Sequence, residues 1–311
     1  MTKLSVVIMA FNEEKRIASC LQSIKDLANE IIVVDNTSTD TTVAIAKQYT
    51  DNIYSQKNDP LNIDIQKNFG FSKANGEWIL SLDPDERVTE ALAEEVKEHL
   101  ASDVQRSVNG YWIPRKNIIF GKWIEHTGWY PDYQLRLFRN GKGKYVGTHV
   151  HEDLQIEGKT AKLKHVLLHQ HYEAVYQFIF HNLHYIQNEA ETRLQKGYTF
   201  NYLDVVRFPF QEFLSRFFAR EGYKDGLHGL VLSLLMSWYH FMVFLYIWEK
   251  KKFVVVGAQD MHTGRQEFLP QLEREANKNY KELLYWFYNE KIKNARNSFE
   301  EYMLKIKRKV L

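Results

Sequence analysis

The sequence predicts an α/β protein: a mostly parallel sheet with flanking helices, followed by an α-helical region. Three observations predict it. Short apolar runs of strand length alternate with helical periodicity over the first hundred or so residues. Polar and acidic residues collect just after those runs, at the carboxyl ends where parallel sheets gather their ligands. From residue 173 to 311 helical periodicity takes over.

Residues 4–9 form a continuous apolar run, as a strand covered on both faces requires. Asn12 is placed to cap a following helix, in which Ile17, Cys20, Leu21 and Ile24 recur at i, i+3, i+4 and i+7. Residues 31–34 predict a second strand, and the capping-rich stretch 36–42 leads into a helix through 43–49. Residues 52–55 predict a short third strand. A helix over 65–74 closes at the Asn75-Gly76 turn, and 78–82 is a fourth strand. Residues 89–100 predict a helix with Leu92, Val96 and Leu100 on one face. Between 111 and 171 only short strand-like pieces are legible among scattered Trp, Tyr, Gly and His.

The net charge of +2 gives no global pull toward nucleic acid. A single cysteine, Cys20, excludes a disulfide framework and fits a reducing compartment. The opening MTKLSVVIMAF reads as a buried strand rather than a signal segment, because charged residues follow at once. Cytoplasmic residence is expected.

The fourth strand runs into LDPDE (82–86), which packs Asp83, Asp85 and Glu86 into four residues. Carboxylates that close repel each other unless a partner shares their charge. On an extended chain Asp83 and Asp85 point to the same side, and Pro84 holds the chain out of helix. Oxygen ligands of this kind suit Mg²⁺ or Mn²⁺, which also bind phosphates. A solvated turn capping a helix from about Val88 explains the same residues. Asp35 is placed to accept from a base or ribose, whereas Ser38, Thr39 and Asp40 are equally well explained as helix caps. Two H-x-H pairs, His149/His151 and His169/His171, raise three readings: zinc, one histidine joining the catalytic metal, or ordinary polar residues near an acceptor cleft. No cysteine accompanies them to support zinc.

Taken together, MAFNEE (9–14), VDNTSTD (34–40), QKNFG (66–70) and LDPDE (82–86), in that order and spacing, resemble the nucleotide-sugar-binding half of a family 2 glycosyltransferase. The resemblance implies the GT-A fold, a Rossmann-like sheet. It implies that Ala10, Asn12 and Glu14 line the donor pocket, that Asp35 holds the base or ribose, and that Lys67 and Asn68 lie close by. Asp83 and Asp85 would form the metal-binding DxD pair, Asp85 making the direct contact with Mg²⁺ or Mn²⁺. Pro84 replaces the usual small middle residue, which leaves both carboxylates in place. WYPDYQLRLFR (129–139) and GTHVHE (147–152) resemble the bacterial branch related to lipopolysaccharide inner-core β-glucosyltransferases. By that match Glu152 is the acceptor-activating base and Asp132 the second candidate, with Arg136 and His151 in support. The string Q-x-x-R-W of processive synthases is absent, which implies single additions. The expected reaction is inverting, metal-dependent transfer of one sugar, UDP-linked by expectation, to a lipid-linked or cell-envelope saccharide. Sugar-phosphate nucleotidyltransfer is an alternative that would need a glycine-rich basic loop after the first strand; AFNEEK (10–15) has none. A membrane-associated scaffold that retains the fold without turnover is the non-enzymatic alternative.

The expected domains are 1–172, catalytic, with a nucleotide-sugar half to 105 and an acceptor-side half beyond it, and 173–311, helical. Residues 227–248 carry no Asp, Glu, Lys or Arg, and Lys250, Lys251 and Lys252 follow closely. That length could span a bilayer, but His228, Ser233, Ser237 and His240 dilute it. The preferred reading is a helix lying on the inner face of the plasma membrane with lysines on headgroups; a core or homo-oligomer helix is the competitor. From 249 to 311 there are 14 Lys and Arg against 9 Asp and Glu, and KIKRK (305–309) is a compact basic end.

Overall fold

A computed structural model of the protein describes residues 3–59, 63–101, 107–146, 154–254 and 264–310. The chain divides into two compact units, one of residues 1–125 with 129–174, the other of 126–128 with 175–311.

The first unit follows the predicted alternation. Its elements are β1 (Leu4–Ala10), α1 (Ile17–Ile24), β2 (Glu30–Asp35), α2 (Thr42–Ala46), β3 (Ile53–Ser55), α3 (Ile63–Phe71) and β4 (Trp78–Leu82). Then come β5 (Glu86–Val88), α4 (Glu90–Ala101), β6 (Val108–Ile119), β7 (Lys122–Trp123), β8 (Asp132–Arg139), β9 (Gly143–Lys144), β10 (Gln155–Ile156), β11 (Lys159–Lys162) and β12 (Leu167–Tyr172). Among the described residues the main sheet runs β3-β2-β1-β4-β8-β6-β12-β5. β3, β2, β1 and β4 are mutually parallel, while β8 pairs antiparallel with both β4 and β6. The order reverses at β1, which opens a ligand crevice beyond its carboxyl end.

β1 is buried on both faces, and its alternation splits two cores. Leu4, Val6, Ile8 and Ala10 join the α1 stripe of Ile17, Cys20, Leu21 and Ile24. Val7 faces the opposite core with Ile32, Val34, Phe71 and Phe138. The predicted helical stripe of α1 is therefore the one that is buried.

Four local expectations change. Asn12 caps no helix: it has φ 55°, and α1 begins only at Ile17, after Arg16. The helix expected through 43–49 is the shorter Thr42–Ala46. The acidic stretch after β4 is not a solvated turn into a helix, because Glu86–Val88 is a strand pairing antiparallel with β12. Nor is the region after 111 built of short pieces alone, since β6 is a strand of 12 residues.

The second unit is helical. It contains α5 (Val175–Gln195), α6 (Asp204–Leu214), α7 (Leu227–Lys250), α8 (Gly264–Lys293) and α9 (Ser298–Lys309). Pro209 lies inside α6, which runs on into a π-helical turn at Ser215–Ala219. Tyr239, Val243 and Ile247 of α7 pack with Ile186 and Ala190 of α5. The polar residues of α7 are used on that side: Tyr239 donates to Glu189 at 2.8 Å, and His240 lies between Glu189 and Glu212. α7 is, among the described residues, the one helix long and apolar enough to cross a membrane, and a third of its apolar stretch is buried in the unit.

Candidate active site

The strand ends of the first unit converge as the topology requires. Ala10 pairs with Asp35 across β1 and β2, and Ile8 pairs with Leu82 across β1 and β4. Ala10, Asp35 and Asp83 therefore share one edge. Beyond that edge the loop 12–14 is laced to the loop 38–42. Asn12 donates its backbone N–H to Ser38 Oγ at 2.9 Å and accepts from Thr39 N at 2.8 Å. Glu14 accepts from Thr41 N at 3.2 Å and Thr41 Oγ1 at 2.8 Å. Both Asp35 oxygens accept from Ser38 N at 3.2 Å. Asn12 and Glu14, expected in the donor pocket, thus spend their side chains on this lacing.

The three carboxylates of LDPDE meet three different fates. Asp83 places Oδ1 2.9 Å from Lys67 Nζ, and its Oδ2 accepts from Arg136. Burial opposes its charge, but Arg136 and Lys67 outweigh that and hold its carboxyl well below the usual range. Glu86, fully buried, accepts from Arg136 Nη2 at 2.8 Å and Arg115 Nη1 at 3.4 Å. It also accepts from the backbone N of Asp83 at 3.0 Å, closing the loop on itself. Asp83 was expected to share a metal with Asp85; its oxygens are instead on cations of the chain itself. Arg136 is the buried counter-ion of Asp83 and Glu86.

Asp85 differs. Its backbone carbonyl accepts from Gln170 N at 2.9 Å, which fixes the loop to β12. Its Oδ2 lies 3.4 Å from His169 Nε2, and its Oδ1 is buried with no hydrogen-bond partner among the described residues. His169 Nδ1 is 2.6 Å from Asn117 Oδ1. The Asn117 amide is oriented by its own donations, from Nδ2 to Trp129 O at 2.8 Å and Asp132 Oδ2 at 3.0 Å. Nδ1 must then carry the hydrogen, so in the tautomer with a single ring hydrogen the Nε2 lone pair turns toward Asp85. A lone pair facing a carboxylate beside an orphaned carboxylate oxygen is a donor set that suits a divalent cation. Among the described residues no cluster of three or more His, Cys, Asp or Glu forms a metal cage, so the remaining ligands would be water and phosphate.

Asp132 accepts from Arg115 Nη2 at 2.7 Å, Arg115 Nε at 2.9 Å, Asn117 Nδ2 at 3.0 Å and Gln134 Nε2 at 2.9 Å. Burial raises its carboxyl, yet Arg115 and the amide donors bring it below its ordinary value. A carboxylate so saturated holds its neighbours and is a poor proton acceptor. Asn68 uses its amide on the backbone of Tyr145, donating at 2.8 Å and accepting at 3.0 Å. It anchors the loop that carries Tyr145. Glu152 and His151 lie outside the described residues.

Sequence reasoning missed Glu13. Burial, opposed by Arg16 and reinforced by Asp85, Asp83 and Asp40, pushes its carboxyl up from 4.5 to about 7. The residues that the resemblance assigns to the pocket, 10, 12 and 14, pass over Glu13, and β1 ends at Ala10 just before the positive φ of Asn12. Asn117 and Arg115 were missed as well; both lie in β6, where no local pattern marked them.

Residues 5–152 match the family described as glycosyl transferase family 2. The lipopolysaccharide core biosynthesis glycosyltransferase LpsC of Rhizobium meliloti is 27% identical over 257 residues, 79% of this chain and 92% of that protein. A glycosyltransferase of Rickettsia typhi is 27% identical over 253 residues, covering 78% of this chain and 85% of its own. Among solved structures, a fragment of S. aureus TarS superimposes with a TM-score of 0.39 at 14% identity, over 81% of this chain and 92% of that one. The parallel sheet with its β1 switch point and the family match together give the GT-A fold, and they set aside nucleotidyltransfer. The chain is a glycosyltransferase whose residues 5–152 match the model of family 2.

Proposed function

We propose that the protein transfers a single sugar, with inversion, from a nucleotide-sugar to a lipid-linked or cell-envelope saccharide, using a divalent cation. The observation that carries the metal is Asp85: one buried oxygen without a partner, the other facing His169 Nε2. Asp85 and His169 would hold Mg²⁺ or Mn²⁺, which when bound neutralises a departing diphosphate. Lys67 and Arg136 keep Asp83 charged and fixed, so the loop that carries Asp85 is braced before any ligand arrives. Asp35, at the end of β2, is the residue proposed to meet the base or ribose.

In a direct displacement the acceptor oxygen bonds to the anomeric carbon as the bond to the diphosphate breaks, and a base takes the acceptor hydroxyl proton. Glu152 is proposed as that base; with Asp132 saturated by Arg115, Asn117 and Gln134, no better candidate stands among the two. An envelope acceptor is supported by the likeness to LpsC, whose name places it in lipopolysaccharide core biosynthesis. A UDP donor and residence at the inner membrane surface complete the reading.

The test is thermal unfolding with UDP, GDP, CMP and dTDP, each with and without Mn²⁺, on the parent and on Asp85→Ala. Stabilisation by one nucleotide that requires Mn²⁺ and disappears in the variant is expected. If no nucleotide stabilises the parent, or if the variant responds as the parent does, the assignment of Asp85 falls.

A further inference from the structure

α9 is a well-made helix that hides the wrong face. Asn297 caps it, accepting from Glu300 N at 2.9 Å, and Glu300 accepts in turn from Arg296 N at 2.9 Å. Glu300 and Glu301 occupy its first turn and Lys307, Arg308 and Lys309 its last, as the helix dipole favours. Against α8 it sets Glu301, Leu304 and Arg308, which are half-buried at i, i+3 and i+7. Arg308 donates to Asn289 Oδ1 at 2.5 Å and lies over the Tyr285 ring.

At 3.6 residues per turn the side opposite that seam carries Phe299, Tyr302, Met303, Ile306 and Val310, a continuous apolar stripe. All five are exposed, from 39% for Met303 to 82% for Val310. None of α9 is buried. A helix in a soluble bundle turns its apolar stripe inward; this one turns a mixed, charged face inward and its stripe outward. The stripe is flanked on both sides by basic residues, Lys305 and Lys309 on one side and Lys307 on the other. An apolar centre bordered by long cationic side chains is complementary to a layer of acyl chains bordered by anionic headgroups.

We propose that this face of α9 docks on an anionic lipid bilayer, with Phe299 and Ile306 entering the acyl boundary and Lys307 and Lys309 lying on the headgroups. The proposal deepens the reading of residence at the membrane surface, on which it rests, and needs nothing assumed about the donor or the metal. It also differs from an anchor made by α7, one face of which is spent on the core with α5.

The test is co-sedimentation of the full chain with vesicles of phosphatidylcholine alone and with phosphatidylglycerol added, across a salt series. Binding that requires phosphatidylglycerol and weakens with salt is expected. Lys307→Gln with Lys309→Gln should weaken it about 25-fold, at about fivefold per lysine. Phe299→Ser with Ile306→Ser should weaken it at least as much. Ser298→Lys, which adds a cation beside Lys305 and Lys309, should tighten it by about fivefold, a gain that misfolding cannot produce. The proposal is overturned if the parent ignores anionic vesicles or if both double variants bind as the parent does. It is equally overturned if, without lipid, the parent forms a dimer that Phe299→Ser with Ile306→Ser dissolves, which would give the face to a second copy.

Discussion

Burial, opposed by Arg16 and reinforced by Asp85, Asp83 and Asp40, raises the Glu13 carboxyl from 4.5 to about 7. Because the folded value lies above the unfolded 4.5, the folded state binds the proton more tightly. Stability must then fall as pH rises from about 4.5 to about 7, and the full cost remains above that window. Glu13→Gln should remove this cost, raising stability above pH 7 by on the order of 2 kcal/mol and changing little at acid pH. Urea unfolding with EDTA present measures it; an equal effect at both ends of the pH range would contradict the assignment. Asn117 supplies the second residue-scale prediction. Its Oδ1 fixes the His169 tautomer, so Asn117→Ala should lower Mn²⁺ affinity by about 10–100-fold, read by the free Mn²⁺ resonance. A variant that loses stability but keeps its Mn²⁺ affinity would show that Asn117 only fills space.

At the scale of elements, α3 lies close over β1 and β2 because Gly70 has no side chain. A Cβ there would come within 2.6 Å of Val7 Cγ1 and 3.0 Å of Val34 Cγ2, both in the core. That close approach seats Lys67, one turn earlier, on Asp83. Gly70→Ala should therefore destabilise the protein by about 1–3 kcal/mol, even though alanine favours helix over glycine. Chemical denaturation decides it, and a stabilised variant would mean that β1 yields to the helix. Elements of this first unit were legible where the signal is local: the apolar run of β4 and the four-residue stripe of α1 need no knowledge of distant chain. β5 was illegible because two of its three residues are charged and its partner β12 lies some eighty residues on. The acidic cluster failed in the same way. Its carboxylates called for counter-charges, which come from Lys67 on α3, Arg136 on β8 and Arg115 on β6, too far apart for any spacing rule to join. Only Asp85 is reached by none of those three cations, which is why the metal is proposed there.

Across the whole molecule charge is unevenly shared. Residues 249–311 carry a net +5 within a chain of +2, leaving the remainder acidic overall. Composition alone made that asymmetry visible, but not which helix displays it beside an apolar face. If the donor chemistry belongs to the edge formed by Ala10, Asp35 and Asp85, and surface docking to α9, hydrogen exchange should separate the two. Mn²⁺ with the stabilising nucleotide should slow exchange in peptides covering 10–14, 35–42, 83–87 and 167–172, the segments that hold the laced loops, Asp85 and His169. At a hundredfold excess over Kd the slowing is bounded at about 100-fold, since binding adds at most about 2.7 kcal/mol there. Exchange across 298–309 should not respond. Vesicles containing phosphatidylglycerol should reverse the pattern, protecting 298–309 and leaving 83–87 as it was. Protection of 298–309 by nucleotide alone would mean that α9 belongs to the donor site, and protection of 227–250 by vesicles without 298–309 would return the membrane contact to α7.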